Sequence, residues 1–255
     1  MQPLIISLRG HIRCSFDNSG LYDFITCMSQ QFDVRIYIHT WLKRECTASW
    51  RPLIDKYKDV DIKEQDIRDY LGTHCDKVKK ICIEDEDESD LHGNIEGKLT
   101  PICMMPKRSW KFFLYGVWKS IDIIDDKNDK NAYMVNVRFD MFQKRLVFAW
   151  GQIGKENRPN NNQYIAQSIA EIICKRMKNP PRVESVSPSR NGYDNIFMGT
   201  VEAMTLLTSV LHKHLDTILE DCDKVKMQEI IVYDVLYNIK KNYNHYDHLF
   251  NNDGC

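Results

Sequence analysis

The sequence predicts an α/β fold, with a mostly parallel sheet flanked by helices and a helical C-terminal part. Short apolar runs rich in β-branched residues alternate with longer segments whose apolar residues recur at helical spacing. Strand, helix and strand follow one another within the first forty or so residues, which is the order of a βαβ unit. A composition of 43% hydrophobic and 28% charged residues is that of an ordinary globular protein.

The N-terminal βαβ unit is the clearest part of the pattern. LIISL, residues 4–8, is a short apolar run typical of a buried strand. Residues 19–32 carry apolar side chains three and four positions apart, as an amphipathic helix does, and DVRIYIHTW, residues 33–41, predicts the second strand. The two strands are expected to be parallel, with a right-handed crossover.

The middle of the chain predicts a third and a fourth strand. Residues 50–74 are expected to be mostly helical and polar, and residues 79–85 form the third strand. The acidic, glycine-containing stretch 84–98 has no periodicity and predicts an exposed, mobile loop. A strongly apolar amphipathic helix over 108–125 precedes the fourth strand, residues 132–139.

The remainder of the chain is mainly helical. A further strand is predicted over 144–150, and prolines and serines predict an irregular segment over 179–192. Helices are predicted over 163–179, 201–222 and 227–243. We expect a single domain over residues 1–255, with a core of about residues 1–207 and C-terminal helices over 201–243.

Charge and cysteine usage exclude several classes of protein. The 35 basic and 36 acidic residues give a formal net charge of −1, whereas a nucleic-acid-binding protein usually has a basic excess. None of the nine cysteines forms a CxxC pair or a zinc-finger spacing, which favours reduced thiols in the cytoplasm. Because no apolar stretch approaches the ~18 residues of a membrane span, no membrane-spanning segment is expected.

Polar residues gather where the predicted strands end. Ligands of open α/β sheets bind beyond the carboxyl ends of the strands, so these residues are the candidates for a site. Arginine offers bidentate recognition of phosphate, glycine admits close backbone approach, and aspartate holds a divalent metal. The pattern therefore predicts a site for a phosphorylated ligand. Its candidates are Arg9, Gly10, His11 and Arg13 after the first strand, His39, Thr40 and Trp41 at the end of the second, Glu84, Asp85 and Glu86 after the third, and Arg138 and Asp140 at the end of the fourth.

Each of these candidates also has a purely structural interpretation. Arg138 and Asp140 lie two residues apart on one strand and share a face, so they form either an ion pair or part of a ligand site. His11 and His39 do not form a metal-ligand spacing and are either buried, hydrogen-bonded histidines or ligand contacts. The residues alone leave both alternatives open.

Several blocks of sequence together resemble a known family. They are "IISLRGHIRCSF" followed by "FDVRIYIHTW", then "FFLYGVWKSIDII", "YMVNVRFDMF" and "GYDNIFMGTVEAM". In this order they resemble glycosyltransferase-like proteins of bacterial surface-polysaccharide clusters and large DNA viruses. The blocks span most of residues 4–207, and their order carries the resemblance.

The resemblance implies a Rossmann-like GT-A fold and a nucleotide-diphosphate-sugar donor. It implies a glycan or other hydroxyl acceptor, a role in polysaccharide biosynthesis, and a place in the cytoplasm, or in the host cytoplasm for a viral protein. In such enzymes a carboxylate motif binds Mn²⁺ or Mg²⁺ together with the donor. The matching motif is Arg138-Phe139-Asp140, which departs from Asp-x-Asp because arginine replaces the first carboxylate. Asp140 is then both the metal ligand and a catalytic residue that, with Arg138, stabilises the departing diphosphate. Asp194 is the catalytic carboxylate that accepts the acceptor's proton.

Two other functions remain as alternatives at this point. A catalytically degenerate relative would bind a nucleotide sugar or a protein partner without turnover, which fits the missing first carboxylate. A sugar nucleotidyltransferase would usually carry a glycine-rich, lysine-bearing loop after the first strand. The turn here, SLRGHIR, has one glycine and no lysine, which counts against the second alternative.

Overall fold

A computed structural model describes residues 1–46, 55–99, 105–125, 129, 132–142, 162–186, 196–221 and 228–240. Within these ranges the strands form one six-stranded sheet. The strands are β1 (Pro3–Arg9), β2 (Asp33–Trp41), β3 (Val78–Glu84), β4 (Tyr133–Arg138), β5 (Val183–Ser185) and β6 (Ile196–Thr200). The order across the sheet is β3-β2-β1-β4-β6-β5. The prediction of an α/β fold with a mostly parallel sheet is thus confirmed.

The four parallel strands set the position of the candidate site. β1 lies between β2 and β4 and is parallel to both, with Arg9 in register with His39 on one side and Arg138 on the other. β3 extends the parallel part beyond β2. Since the chain proceeds outwards from β1 to β3 and then returns to the other side of β1, the strand order reverses between β1 and β4. Such a reversal leaves a crevice at the carboxyl ends of the two strands.

Beyond β4 lie two strands that were not predicted, and each runs antiparallel to the strand before it in the sheet. β6 is antiparallel to β4, and β5 is antiparallel to β6. The segment 179–192, expected to be irregular, therefore contains a strand of three residues. That strand depends on its partner, because a Cβ at Gly199 of β6 would lie 2.4 Å from the carbonyl oxygen of Arg182. Glycine permits this close approach. The proline-rich segment itself has no periodicity that would indicate a strand.

Helices cover both faces of the sheet. They are α1 (Gly20–Ser29), α2 (Glu64–Leu71), α3 (Lys107–Asp122), α4 (Asn162–Arg176), α5 (Val201–Lys213), α6 (Leu215–Asp221) and α7 (Gln228–Lys240). Buried side chains of α1, α2 and α4 form one core with the sheet, and those of α3, α5, α6 and α7 form a second core on the opposite face. Alternation along β1 explains both cores, since Leu4 and Ile6 belong to the first and Ile5 to the second.

Two helix predictions were wrong in extent. Of the mostly helical segment predicted over 50–74, the described part holds only α2, with short 3₁₀ turns at Asp55–Tyr57 and Gly72–Lys77. Gly72, at φ +51°, ends α2 in a backbone conformation that favours glycine. The helix predicted over 201–222 is divided at His214 into α5 and α6. The strand predicted over 144–150 lies outside the described residues.

None of the helices in the described ranges is both long enough and apolar enough to span a membrane.

Candidate functional site

Arg13, Arg138, Asp140 and Glu45 form a charged group beside the carboxyl ends of β1 and β4, which we call the arginine cluster. Arg138 Nη2 donates to Asp140 Oδ2 at 2.6 Å, and Arg13 Nη1 lies 3.4 Å from the same oxygen. Arg13 Nε lies 2.9 Å from Glu45 Oε1. The strand end therefore does contain an ion pair, and a second arginine from the β1 turn joins it.

The charged side chains of the arginine cluster are largely shielded from solvent. The Asp140 side chain is 6% exposed, and those of Arg13 and Arg138 are 18% and 16% exposed. Burial acts to lower the pKa of Arg13, but the charges of Asp140, Cys46 and Glu45 outweigh it and raise the pKa above its ordinary value. Arg13 is therefore a permanent cation held between two carboxylates, which matches the planar recognition of anions by guanidinium.

The backbone of the β1 turn places Arg13 in this cluster. Gly10 has φ +86°, and its carbonyl accepts a hydrogen bond from Thr40 Oγ1 at 3.0 Å. Arg13 has φ +50°, and its amide donates to the carbonyl of Arg44 at 2.9 Å. The two turns that follow β1 and β2 are thus joined, which brings Glu45 against Arg13.

Glu45 was not among the residues predicted from the sequence. It follows the second strand by four positions and has no strand or helix pattern of its own. Its side chain is 2% exposed, which is uncommon for a glutamate. The signal in the sequence is weak, because the contacts that hold Glu45, such as the one with Arg13, come from a turn 32 positions away.

Arg9 lies beneath the site edge, inside the core. It is 1% exposed, and its guanidinium lies 4.6 Å from the centre of the Phe113 ring. Its Nε donates to Asn136 Oδ1, and Asn136 Nδ2 donates to Ser7 Oγ and Ser120 Oγ at 3.0 and 2.9 Å. The structure thus places Arg9 in a buried polar network between the sheet and α3.

Loss of Asn136 is expected to destabilise the fold. Replacing Asn136 by alanine removes the acceptor of Arg9 Nε and the donor to two buried serine hydroxyls. We expect the free energy of unfolding to fall by about 2 kcal/mol in urea denaturation, because the buried, charged Arg9 loses this hydrogen bond. Gln65→Ala on α2, which removes an exposed amide that bonds Asp69, is the control and should leave stability unchanged. An equal loss in both variants would contradict the assignment.

His39 and Trp41 are packed against α3 rather than presented at the edge. His39 is fully buried, and its Nε2 donates to Glu84 Oε2 at 2.9 Å. Burial lowers the pKa of His39, with Glu84 acting in the opposite direction, so the imidazole is neutral at pH 7. Trp41 is 2% exposed and packs on Phe112 and Tyr115. In this structure both residues build the core under the site.

His11 makes a different contact from the one its position suggested. Its Nε2 lies 3.0 Å from Glu86 Oε1, and its ring stacks on Trp41 with centroids 5.9 Å apart. Glu86 belongs to the acidic stretch predicted to be an exposed loop, yet its side chain is 3% exposed. That prediction was wrong at Glu86 because the contact with His11, 75 positions away in sequence, leaves no local pattern.

The predicted catalytic carboxylate and the predicted metal site are not found among the described residues. Asp194, the expected catalytic carboxylate, lies outside them. Within the described ranges, no group of three His, Cys, Asp or Glu side chains is placed to hold a metal ion. Asp140 Oδ2 already accepts from Arg138 and faces Arg13. The described residues around Asp140 therefore do not by themselves fit the Mn²⁺ or Mg²⁺ site that the resemblance implies.

Comparison of the chain with protein-family models, curated proteins and solved structures finds no match. The fold and the site define an α/β protein with a buried arginine–carboxylate cluster at the reversal point of its sheet.

Proposed function

We propose that the chain is a glycosyltransferase that moves a sugar from a nucleotide-diphosphate-sugar donor to a glycan or other hydroxyl acceptor. The observation that carries the proposal is the convergence of Arg13 and Arg138 on Asp140 beside the crevice between β1 and β4. The order of the resembling sequence blocks supports the same function and the finer assignment to a GT-A-like fold.

The arginines suit a diphosphate because of their charge and their shape. A diphosphate leaving group gains negative charge as its bond to the sugar breaks, and fixed guanidinium groups stabilise that charge. Arg138 and Arg13 are held by Asp140 and Glu45 at 2.6 and 2.9 Å, so little side-chain ordering remains for binding to cost. Asp140 is then a positioning residue for both guanidiniums.

The proposed reaction exchanges one bond at the anomeric carbon for another and needs no oxidant or reductant. The bond between the sugar's anomeric carbon and the diphosphate oxygen breaks, and a bond from that carbon to the acceptor oxygen forms. The acceptor's proton passes to a carboxylate base, for which Asp194 remains our proposal from the resemblance. A divalent metal, when bound, would supply further charge stabilisation to the diphosphate.

Donor binding is testable by thermal shift. The wild-type chain is screened against nucleoside diphosphates and nucleotide sugars, with and without Mn²⁺. We expect one nucleotide family to stabilise the fold, by about 2.7 kcal/mol at a hundredfold excess over Kd. Arg138→Gln should abolish this shift because it removes one of the two guanidiniums that meet at Asp140 beside the crevice.

Arg68→Gln is the matched control for that screen. Arg68 is a partly exposed arginine of α2 whose partner is Glu64, one helical turn away. It should retain the full ligand-induced shift. A shift that survives in Arg138→Gln, or the lack of any stabilising nucleotide, would contradict a donor site at the arginine cluster.

One observation favours a second candidate, a degenerate transferase that binds a nucleotide sugar without turnover. Arginine stands where the first carboxylate of the motif is expected, and Asp140 Oδ2 is engaged by two guanidiniums. This candidate predicts the same thermal shift as the enzyme, but no release of nucleoside diphosphate from the bound donor.

A further inference from the structure

Residues 85–98, which we call the strap, follow β3 and cover part of the site edge. Near their end the carbonyl of Gly97 accepts a hydrogen bond from the amide of Lys107, the first residue of α3, at 2.9 Å. Glu86 contacts His11, and Leu91 packs against the cluster of Trp41, Phe112 and Tyr115. The strap buries little of itself, since Glu86 is its one buried residue. A segment with so few buried contacts opens locally at low free energy unless something else holds it.

Asp216 of α6 holds the middle of the strap. Its Oδ2 accepts from the amide of Asn94 at 2.8 Å and from Lys111 Nζ at 2.7 Å. Lys111 is 4% exposed, and its ammonium also donates to the carbonyl of His92. A lysine of α3 and a carboxylate of α6 therefore meet at residues 92–94 of the strap and make a clasp.

Glycine at position 93 is a condition for this clasp. Gly93 has φ +72°, and a Cβ built there would lie 2.0 Å from Asp216 Oδ2. Gly97 has a similar φ of +78°, but a Cβ there meets nothing within 4 Å. The two glycines share the backbone requirement, and only Gly93 also permits the close approach of the carboxylate.

We propose that the strap is a cover that opens as a unit, with Asp216 as its clasp. Opening separates Glu86 from His11 and lifts Leu91 from Trp41, which uncovers the side of the site formed by the β1 turn and β2. Closing restores both contacts. Opening and closing of the strap do not depend on which ligand the site takes.

Hydrogen–deuterium exchange of the full chain tests the clasp through a matched pair of glycine variants. Gly93→Ala should speed exchange of the strap amides about tenfold or more, most clearly at Asn94, whose amide bonds Asp216. Gly97→Ala introduces the same backbone strain without the collision and should change strap exchange much less. Peptides from β1 and β4 should exchange at the wild-type rate in both variants.

Asp216→Asn is the second variant, and it removes the clasp charge from the other side. It should reproduce the Gly93→Ala pattern with the glycine intact. Equal strap exchange in Gly93→Ala and Gly97→Ala would overturn the proposal, as would an unchanged strap in Asp216→Asn. Faster exchange of β1 and β4 together with the strap would also overturn it, because the strap would then be part of the global fold rather than a separate unit.

Discussion

Replacing Asp140 by alanine is expected to lower the free energy of unfolding by about 3 kcal/mol, since it leaves two guanidiniums without their shared carboxylate in a mostly buried place. Asp140 is 4% exposed, and both Arg13 and Arg138 lie within 3.4 Å of its Oδ2. Urea denaturation of the wild type and the variant measures the difference directly.

An exposed ion pair provides the control for that measurement. Lys80 and Asp125 lie 2.8 Å apart, and the Asp125 side chain is 72% exposed. Asp125→Ala should leave stability unchanged within error, because exposed pairs are screened by solvent and contribute little. If Asp140→Ala were as mild as this control, the arginine cluster would not be an electrostatically coupled unit.

Acidification from pH 7 to pH 4 is expected to remove about 3 kcal/mol of stability through His212 alone. Burial, aided by the neighbouring His92, lowers the pKa of His212 from 6.5 to about 4. The unfolded chain takes up a proton below pH 6.5, whereas the folded chain resists protonation until about pH 4. The folded state therefore loses stability as the pH falls through this window.

His39 and His74 act in the same direction, since burial also lowers the pKa of each. The carboxylates with lowered pKa values, including Glu84 and Asp216, lose their contributions only below their ordinary values of 4.5 and 3.8. The window from pH 6.5 to about pH 4.5 thus belongs mainly to histidines.

His212→Phe isolates the contribution of this one imidazole. Phenylalanine keeps a ring against Trp118, on which His212 stacks at 4.6 Å, but does not titrate. Urea denaturation at several pH values should give a shallower pH dependence in this variant. Thr208→Val, a buried change on the same helix without a titrating group, should keep the wild-type slope. If the free energy of unfolding of His212→Phe depended on pH as steeply as that of the wild type, the lowered pKa of His212 would be contradicted.

The parts of the fold that could be predicted from sequence are those with strong local patterns. β2 was predicted at its observed bounds, and α1 and β1 were found within a few residues, because strand and helix periodicities are distinct there. The antiparallel β5 was missed because three residues beside prolines carry no period, and pairing with β6 alone makes them a strand. The break at His214 was missed because the apolar stripe continues across it.

The location of the site could be predicted from the sequence, but the contacts between its residues could not. Arg13, Arg138 and Asp140 were predicted as site residues because they lie at or just after strand ends. The carboxyl ends of parallel strands meet at one edge of a sheet. Whether the charges pair was not predictable, because Arg13 and Asp140 are 127 residues apart and the β1 turn determines their meeting. Strand-end position alone does not indicate that Arg9 and His39 point into the core, where Arg9 packs on Phe113 and His39 on Gly116 of α3.

Donor turnover distinguishes a glycosyltransferase from a protein that only binds the nucleotide sugar. The chain is incubated with the nucleotide sugar that gives the largest thermal shift, and release of nucleoside diphosphate is followed with and without Mn²⁺ and a glycan acceptor. We expect release well above the rate in buffer, increased by acceptor, lost in Arg138→Gln and retained in Arg68→Gln. Tight binding of the donor with no release under any of these conditions would contradict a glycosyltransferase and leave a nucleotide-sugar-binding protein in its place.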